Sequence, residues 1–427
     1  MFAAYRRLLA LPGALAFTLA GLLARLSASM GGVSVVVMIS ERRGSYALAG
    51  AVTASGLVTL AIGMPLLGRL VDRYGQARVA VPAVLAAGVP ITGLLLCVRL
   101  GAPDWTLFLC WAASSVVPNL GGMVRARWAH LLPGDERLHL ANSLEQALDE
   151  LCFMTGPVLA VLLCGALFPE AGLLASGLFC VTGVLLLAVQ RGTEPPPSPR
   201  VDPTGPVGRR GKAVPAGLWV LVPVFLCSGV VFGSMEVTTI AWTDAHGVRP
   251  LGGLLLGLVA AGSCVSGLAF GLLPVRRSPV VRLVGGVAAM AVLLLLPLAV
   301  GLSGAGPVLL APALFLAGSG TAPTMVSGMT LVQQLLPAGR LNEGMAAAVS
   351  AILVGISAGS ALGGAVAERA AAGTGYLVPA AAAATALLIA ASGLRLLRGG
   401  PAAAPAAAGH PAGEPAEMDA PAVGAAR

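Results

Sequence analysis

Residues 68–80 read GRLVDRYGQARVA. This charged stretch separates two apolar runs, residues 48–67 and 79–98, neither of which holds a charged side chain. A bilayer core takes about 20 apolar residues of helix, so each flank is long enough to cross it. Two crossings joined by a short basic link meet at one face of a membrane.

The rest of the chain agrees. Of its 427 residues, 57% are hydrophobic and only 10% are charged, against about 25% charged in an ordinary soluble domain. So few charges cannot cover a water-exposed surface of this size. Glycine is abundant, at 57 residues, which suits helices that approach closely in lipid. The net charge of +8 lies mainly in links between apolar runs, so it marks membrane sidedness rather than a nucleic-acid surface. The seven cysteines fall in or beside apolar runs without a CxxC pair and read as small buried hydrophobes. The histidines at 130, 139, 246 and 410 lack metal-ligand spacing. No glycine-rich phosphate loop with its lysine is present, so ATP driving is not expected. No cofactor, metal or enzymatic activity is expected.

Twelve apolar spans can be marked, at about residues 12–39, 47–67, 79–99, 104–124, 141–167, 171–190, 216–242, 251–273, 280–302, 306–332, 343–367 and 374–394. Arg6 and Arg7 precede the first. Its apolar run is too long for a signal peptide, so it reads as a retained helix. With the N-terminus in the cytoplasm, the outer links hold only Arg42, Arg43, Arg99, Arg249 and Arg369, and Arg25 lies within a span. The remaining basic residues fall inside, as the positive-inside rule requires. Residues 191–215, rich in Pro, Gly and charge, read as a cytoplasmic linker between six-helix halves at 1–190 and 216–398. The Ala/Pro-rich tail, 399–427, reads as disordered. The expected fold is an all-α polytopic membrane protein of twelve transmembrane helices, with both termini in the cytoplasm of a bacterium and the bundle in its inner membrane.

The halves share a pattern. Pro118 in span four matches Pro323 in span ten, Leu132-Pro133 matches Leu336-Pro337, and Asn142 and Asn342 follow before the next helix. Twelve spans, a six-plus-six split, a long central link and a charged link between spans two and three together resemble the major facilitator superfamily (MFS) over residues 1–398. The family motif at that link, Gly-x-Leu-small-Asp-Arg-x-Gly-Arg-basic, meets Gly68, Leu70, Asp72, Arg73 and Gly75. It departs at Val71, Gln76 and Ala77, with Arg78 as a substitute basic residue. The resemblance implies that Asp72 lies over the N-terminus of the eleventh helix, which here would start near Asn342-Glu343-Gly344. Glu343 would then receive Arg73, Arg78 or Arg125, in contacts that latch the halves together when the cytoplasmic side is closed. Gly68 and Gly75 would ease a tight turn. The same residues also suit a simple topogenic turn. Gly156-Pro157 in span five partly matches the antiporter pattern and would bend that helix. The runs MVRARW and LDELCFMTGP are similar to a group of actinobacterial facilitator proteins described as exporters.

Charges inside the membrane are costly and usually face the protein interior. Arg25 suits either an ion pair or an anchor for an anionic or polar substrate. Its candidate partners are Asp149 and Glu150. Glu145 and Asp149 share a helix face, while Glu150 points elsewhere. Glu236 is a candidate proton site or a carboxylate near the outer interface beside Arg249. Asn119 and Gln333 are candidate cavity or gate groups. The expected activity is proton-coupled export of a small organic molecule by alternating access. Proton-coupled uptake of a polar metabolite, or a non-transporting sensor or scaffold, are the alternatives. The expected partners are the lipid bilayer, a small-molecule substrate and a coupling proton, with no nucleic acid, and the chain is expected to act as a monomer.

Overall fold

The computed structural model describes residues 2–133, 137–197, 215–248, 251–274, 277–369 and 372–398. Arg249, linker residues 198–214 and the tail 399–427 lie outside the described residues. The described chain is helical throughout, with short 3-10 turns at the joints. A short helix α1 (Phe2–Leu9) precedes α2 (Ala14–Arg43), α3 (Tyr46–Tyr74) and α4 (Gln76–Arg99). Then come α5 (Asp104–Ser114), α6 (Leu120–Leu131), α7 (Arg137–Ala166) and α8 (Ala171–Val189). The second part of the chain forms α9 (Leu218–Ala245), α10 (Gly252–Leu272), α11 (Pro279–Leu293), α12 (Leu295–Ser303), α13 (Pro307–Ser319), α14 (Thr321–Leu335), α15 (Leu341–Arg369), α16 (Leu377–Ser392) and α17 (Leu394–Arg398).

Eleven described segments are long and apolar enough to cross a membrane. The remaining crossing, fourth in chain order, is divided into α5 and α6. The break has a local cause. Pro118 has no N–H to continue a helix and biases Val117 towards extended backbone. Asn119 then restarts the helix, its Oδ1 accepting the Gly122 N–H at 3.0 Å. The ninth and tenth crossings are jointed too, at Leu294 between α11 and α12 and at Gly320 between α13 and α14. Pro297 and Pro323 sit just past these joints and remove the N–H groups that would bond back across them.

The basic link differs from the expected turn. Helix α3 runs to Tyr74 and α4 begins at Gln76, so only Gly75 lies between them, with φ 96°. That left-handed backbone is accessible to glycine at little cost. Gly68 is inside α3. Helix α7 likewise runs unbroken through Pro157, and Gly156 lies against Ser29 of α2, where a Cβ would collide. Gly156 thus provides a close helix contact beside Pro157.

Packing separates the two parts of the chain. One buried apolar cluster spans Leu218 to Leu397 and takes in only Ala126 from the N-terminal helices. Three others lie wholly within residues 8–187. Helices α9 and α15 pack backbone to backbone through Gly229 and Gly233 against Gly355, Gly359 and Gly363. This is the small-residue contact that lets membrane helices gain dispersion where lipid offers no hydrophobic drive. Outward-facing Leu85, Val89, Leu109, Val158, Leu178, Val292 and Leu388 are all exposed, as a lipid-facing surface requires.

Candidate gate and interior charge network

The end of the bundle that carries Gly75, here the basic face, joins the two parts of the chain. Helix α15 begins at Leu341, and its first N–H groups have no partner within the helix. Asp72 supplies one from α3. Its Oδ1 accepts the Asn342 N–H at 3.1 Å and the Asn342 Nδ2 at 2.8 Å, and its Oδ2 accepts the Glu343 N–H at 2.9 Å. The positive end of the helix dipole favours the carboxylate there. The seat is buried, with Asp72 and Asn342 each 7% exposed. Gly68, one turn earlier, makes it possible: a Cβ there would lie 2.7 Å from the Asn342 oxygen and 2.9 Å from Glu343 Cα.

Glu343 is held by different arginines from those expected. Arg69 Nε donates to it at 2.8 Å and Arg340 Nε at 3.0 Å. Hydrogen bonding to Glu343 raises the Arg340 pKa above its ordinary value. Arg73 instead lies over the Tyr74 ring at 5.0 Å, Arg78 forms no ion pair among the described residues, and Arg125 binds Asp149 at 2.6 Å. None of the three expected partners reaches Glu343.

Two residues missed by sequence reasoning brace the link from within the N-terminal part. Arg127 is fully buried. It donates to Gln76 Oε1 (2.8 Å), Thr193 Oγ1 (2.8 Å) and the carbonyls of Leu187 (2.8 Å) and Gln190 (2.9 Å). Glu194 Oε1 accepts the Ala77 N–H at 2.9 Å, capping α4 much as Asp72 caps α15. The start of the 191–215 segment is thereby docked on the basic link. The available signal was a single acid between an apolar span and a proline run.

On the other flank, Asn142 Nδ2 donates to Thr330 Oγ1 at 3.0 Å and to Gln333 Oε1 at 2.6 Å, and Gln333 Nε2 donates to the Arg125 carbonyl at 3.1 Å. Gln333 is therefore a bridging group. Tyr5 donates to the Leu268 carbonyl at 2.8 Å. His139 Nε2 lies 2.9 Å from the Phe270 carbonyl, and Arg282 Nη2 sits against both nitrogens of the same ring, with its guanidinium 4.6 Å from the Phe270 ring centre. The bonds between the two parts of the chain thus cluster towards the basic face.

Deeper in the bundle, Arg25 forms ion pairs with Glu145 at 2.6 Å and Asp149 at 2.7 Å. The Trp128 Nε1–H occupies the other Glu145 oxygen at 2.7 Å. Two arginines, Arg25 and Arg125, thus balance two acids, Glu145 and Asp149. Glu150, the other expected partner, does not join them. It faces α10, where the Ser263 hydroxyl donates to its Oε1 at 2.8 Å. Asn119 caps α6 rather than offering its oxygen to a cavity. Glu236 is exposed and makes no hydrogen bond or ion pair among the described residues. No group of three or more metal-ligating side chains occurs among the described residues.

Comparison with known proteins agrees with this architecture. The family model described as Major Facilitator Superfamily matches residues 17–360. An uncharacterised MFS-type transporter, y4rN of Sinorhizobium fredii, is 28% identical over 378 residues, which cover 85% of this chain and 90% of the relative. A bacterial homologue of the iron transporter ferroportin, solved in an outward-facing state, superposes with a TM-score of 0.67 at 19% identity, covering 88% of this chain and 98% of that one. The transporter FucP in its outward conformation gives 0.65 at 13% identity, with the same coverage. The human organic anion transporter MFSD10 gives 0.64 at 15%, covering 90% and 99%. With its matched family model, its twelve membrane crossings and the seat of Asp72 on α15, the chain belongs to the Major Facilitator Superfamily of membrane transporters.

Proposed function

We propose that the protein is a secondary active transporter that exports a small organic molecule from a bacterial cytoplasm against an inward flow of protons. The basic face is the cytoplasmic one, and both termini lie on that side of the inner membrane. Residues 1–190 and 216–398 act as two six-helix bodies that rock about a central site, as paired repeats do in transporters. The observation that carries the reading is the Asp72 seat: a charged group of one body caps a helix of the other, in a buried contact that must break if the basic face opens. The exposed Glu236 and the partly buried Glu150 are carboxyls on membrane-crossing helices without cationic partners among the described residues, which suits proton movement more than a static ion pair.

The test is flux in proteoliposomes containing the full chain, under an imposed pH gradient, across a panel of small organic cations, anions and neutral compounds. Uphill movement of a compound against proton flow is expected. Movement with the protons would replace export by uptake, and no flux for any member would favour a sensor or scaffold. Glu236→Gln is expected to alter the pH profile of that flux, and an unchanged profile removes this residue from coupling.

A further inference from the structure

The three acids of α7 have unequal surroundings. Glu145 and Asp149 are matched by Arg25 and Arg125. Glu150 has no cation. Its Oε1 accepts from two neutral donors, Ser263 Oγ at 2.8 Å and Gln146 Nε2 at 3.2 Å. The donor on α10 has a polar neighbour: Thr321 Oγ1, at the start of α14, lies 2.9 Å from Ser263 Oγ and 2.7 Å from the Gly318 carbonyl, which competes for its single proton. Oε2 is different: it makes no hydrogen bond, and Glu150 is only partly buried within the protein. Glu150 therefore has one oxygen committed to the opposite body and one without a donor.

Its depth matters as well. Glu150 lies 13 residues beyond Arg137, the first residue of α7, or ~20 Å along the helix at 1.5 Å per residue. That is well inside a hydrocarbon core about 30 Å thick. The other groups facing it are Asp149 on α7, already engaged by Arg25 of α2 and Arg125 of α6, and the Cys264 thiol of α10. From α14 it meets only the hydroxyl chain of Thr321. No described side chain supplies a compensating positive charge.

We propose that Glu150 is the site of the coupling proton and that its charge sets the strength of the α7–α10 junction between the two bodies. This rests on the proton-coupled reading above. With Glu150 ionised, the Ser263 bond is charge-assisted, roughly twice as strong as a neutral one, and the junction is tight. A proton from water binds at Oε2, which has no donor. Ser263 then donates to a neutral acid, and the junction loosens. Release of the proton to water on the other side restores the carboxylate and the tight junction. One proton is bound and one released per cycle, with no other co-reactant. Asp149 cannot serve in this way, because both its oxygens are held by arginines.

The test uses spin labels at Leu167 and Leu254, both exposed, which lie at the end of the bundle away from the basic face, beyond α7 and near the start of α10. Their separation is measured by pulsed electron resonance on the reconstituted full chain across about pH 5 to 9, a range wide enough for a perturbed carboxyl. In the unsubstituted protein the distance distribution is expected to titrate with a single-proton transition. Glu150→Gln should abolish the transition and hold the acidic distribution at every pH. Ser263→Ala keeps the carboxyl but removes its donor, and should move the midpoint upward. It also provides the reading if Glu150→Gln fails to fold. A Glu150→Gln protein that titrates like the parent, or a Ser263→Ala protein with an unmoved midpoint, overturns the assignment. A parent protein with no pH-dependent distance overturns the proton-coupled reading itself.

Discussion

At the scale of single residues, Asp72 has the clearest consequences. Asp72→Asn keeps the shape of the side chain but removes its charge and one of its two acceptor oxygens. A charge at a partly buried helix terminus contributes up to ~2 kcal/mol, and one to two kcal/mol changes a two-state ratio by about 5–30-fold. The substitution should shift the population away from the form closed at the basic face by that factor, with little loss of folded yield. Gly68→Val should act in the same direction by collision, since Asn342 and Glu343 present backbone there; a label pair across the basic face reads both. The sequence revealed Asp72 and Glu343 but misassigned the arginines. Read as a turn, residues 68–80 give no reason to prefer one basic residue. Read as helix, Arg69 and Arg73 are four apart and share a face, so the phase of α3 alone does not separate them either. The observed contacts do, with Arg69 on Glu343 and Arg73 over Tyr74.

At the scale of elements, α2, α6 and α7 are joined by a buried charge network. Arg25→Ala leaves Glu145 short of its cation in a fully buried position. Removing one partner of such a pair costs about 3–5 kcal/mol, so folded yield and thermal stability should fall. Adding Glu145→Gln should recover part of the loss, because the glutamine oxygen still accepts from Trp128. Adding Asp149→Asn should recover less, since it strips Arg125 of its partner. A second junction lies at the opposite end of the bundle, where Glu170 binds Arg42 of α2 at 3.1 Å and Arg99 of α4 at 3.1 Å. Burial pushes the Glu170 pKa up, but the two arginines outweigh it and the net value lies below the ordinary one. Its contribution is therefore full above the unfolded-state pKa of about 4.3 and is lost as pH falls through the lower folded value. Glu170→Gln should lower the melting temperature at neutral pH and flatten the acid limb, as a thermal-shift series over pH will show. The i,i+4 spacing of Glu145 and Asp149 made the Arg25 network legible. The break in the fourth crossing also had a signal, Val-Val-Pro-Asn, but hydropathy carried the span straight through it. Glu194 was marked only as a lone acid before a proline run, and its partner, the backbone N–H of Ala77, is one that no side-chain pattern marks.

At the scale of the whole molecule, the all-helical architecture and the count of crossings were readable because lipid imposes length and apolarity on every helix. Which face is closed was not, since the same helices serve both forms and only their packing differs. That packing places Asp72, Asn142, His139 and Tyr5 in contacts with the C-terminal helices near the basic face. The central claim is that the Asp72 seat on α15 holds this face shut. The most direct measurement is pulsed electron resonance on the reconstituted protein, with one label pair spanning the two bodies at the basic face and another at the opposite end. Asp72→Asn is expected to lengthen the first distance and shorten the second. Distance distributions identical to those of the unsubstituted protein at both ends would contradict the account.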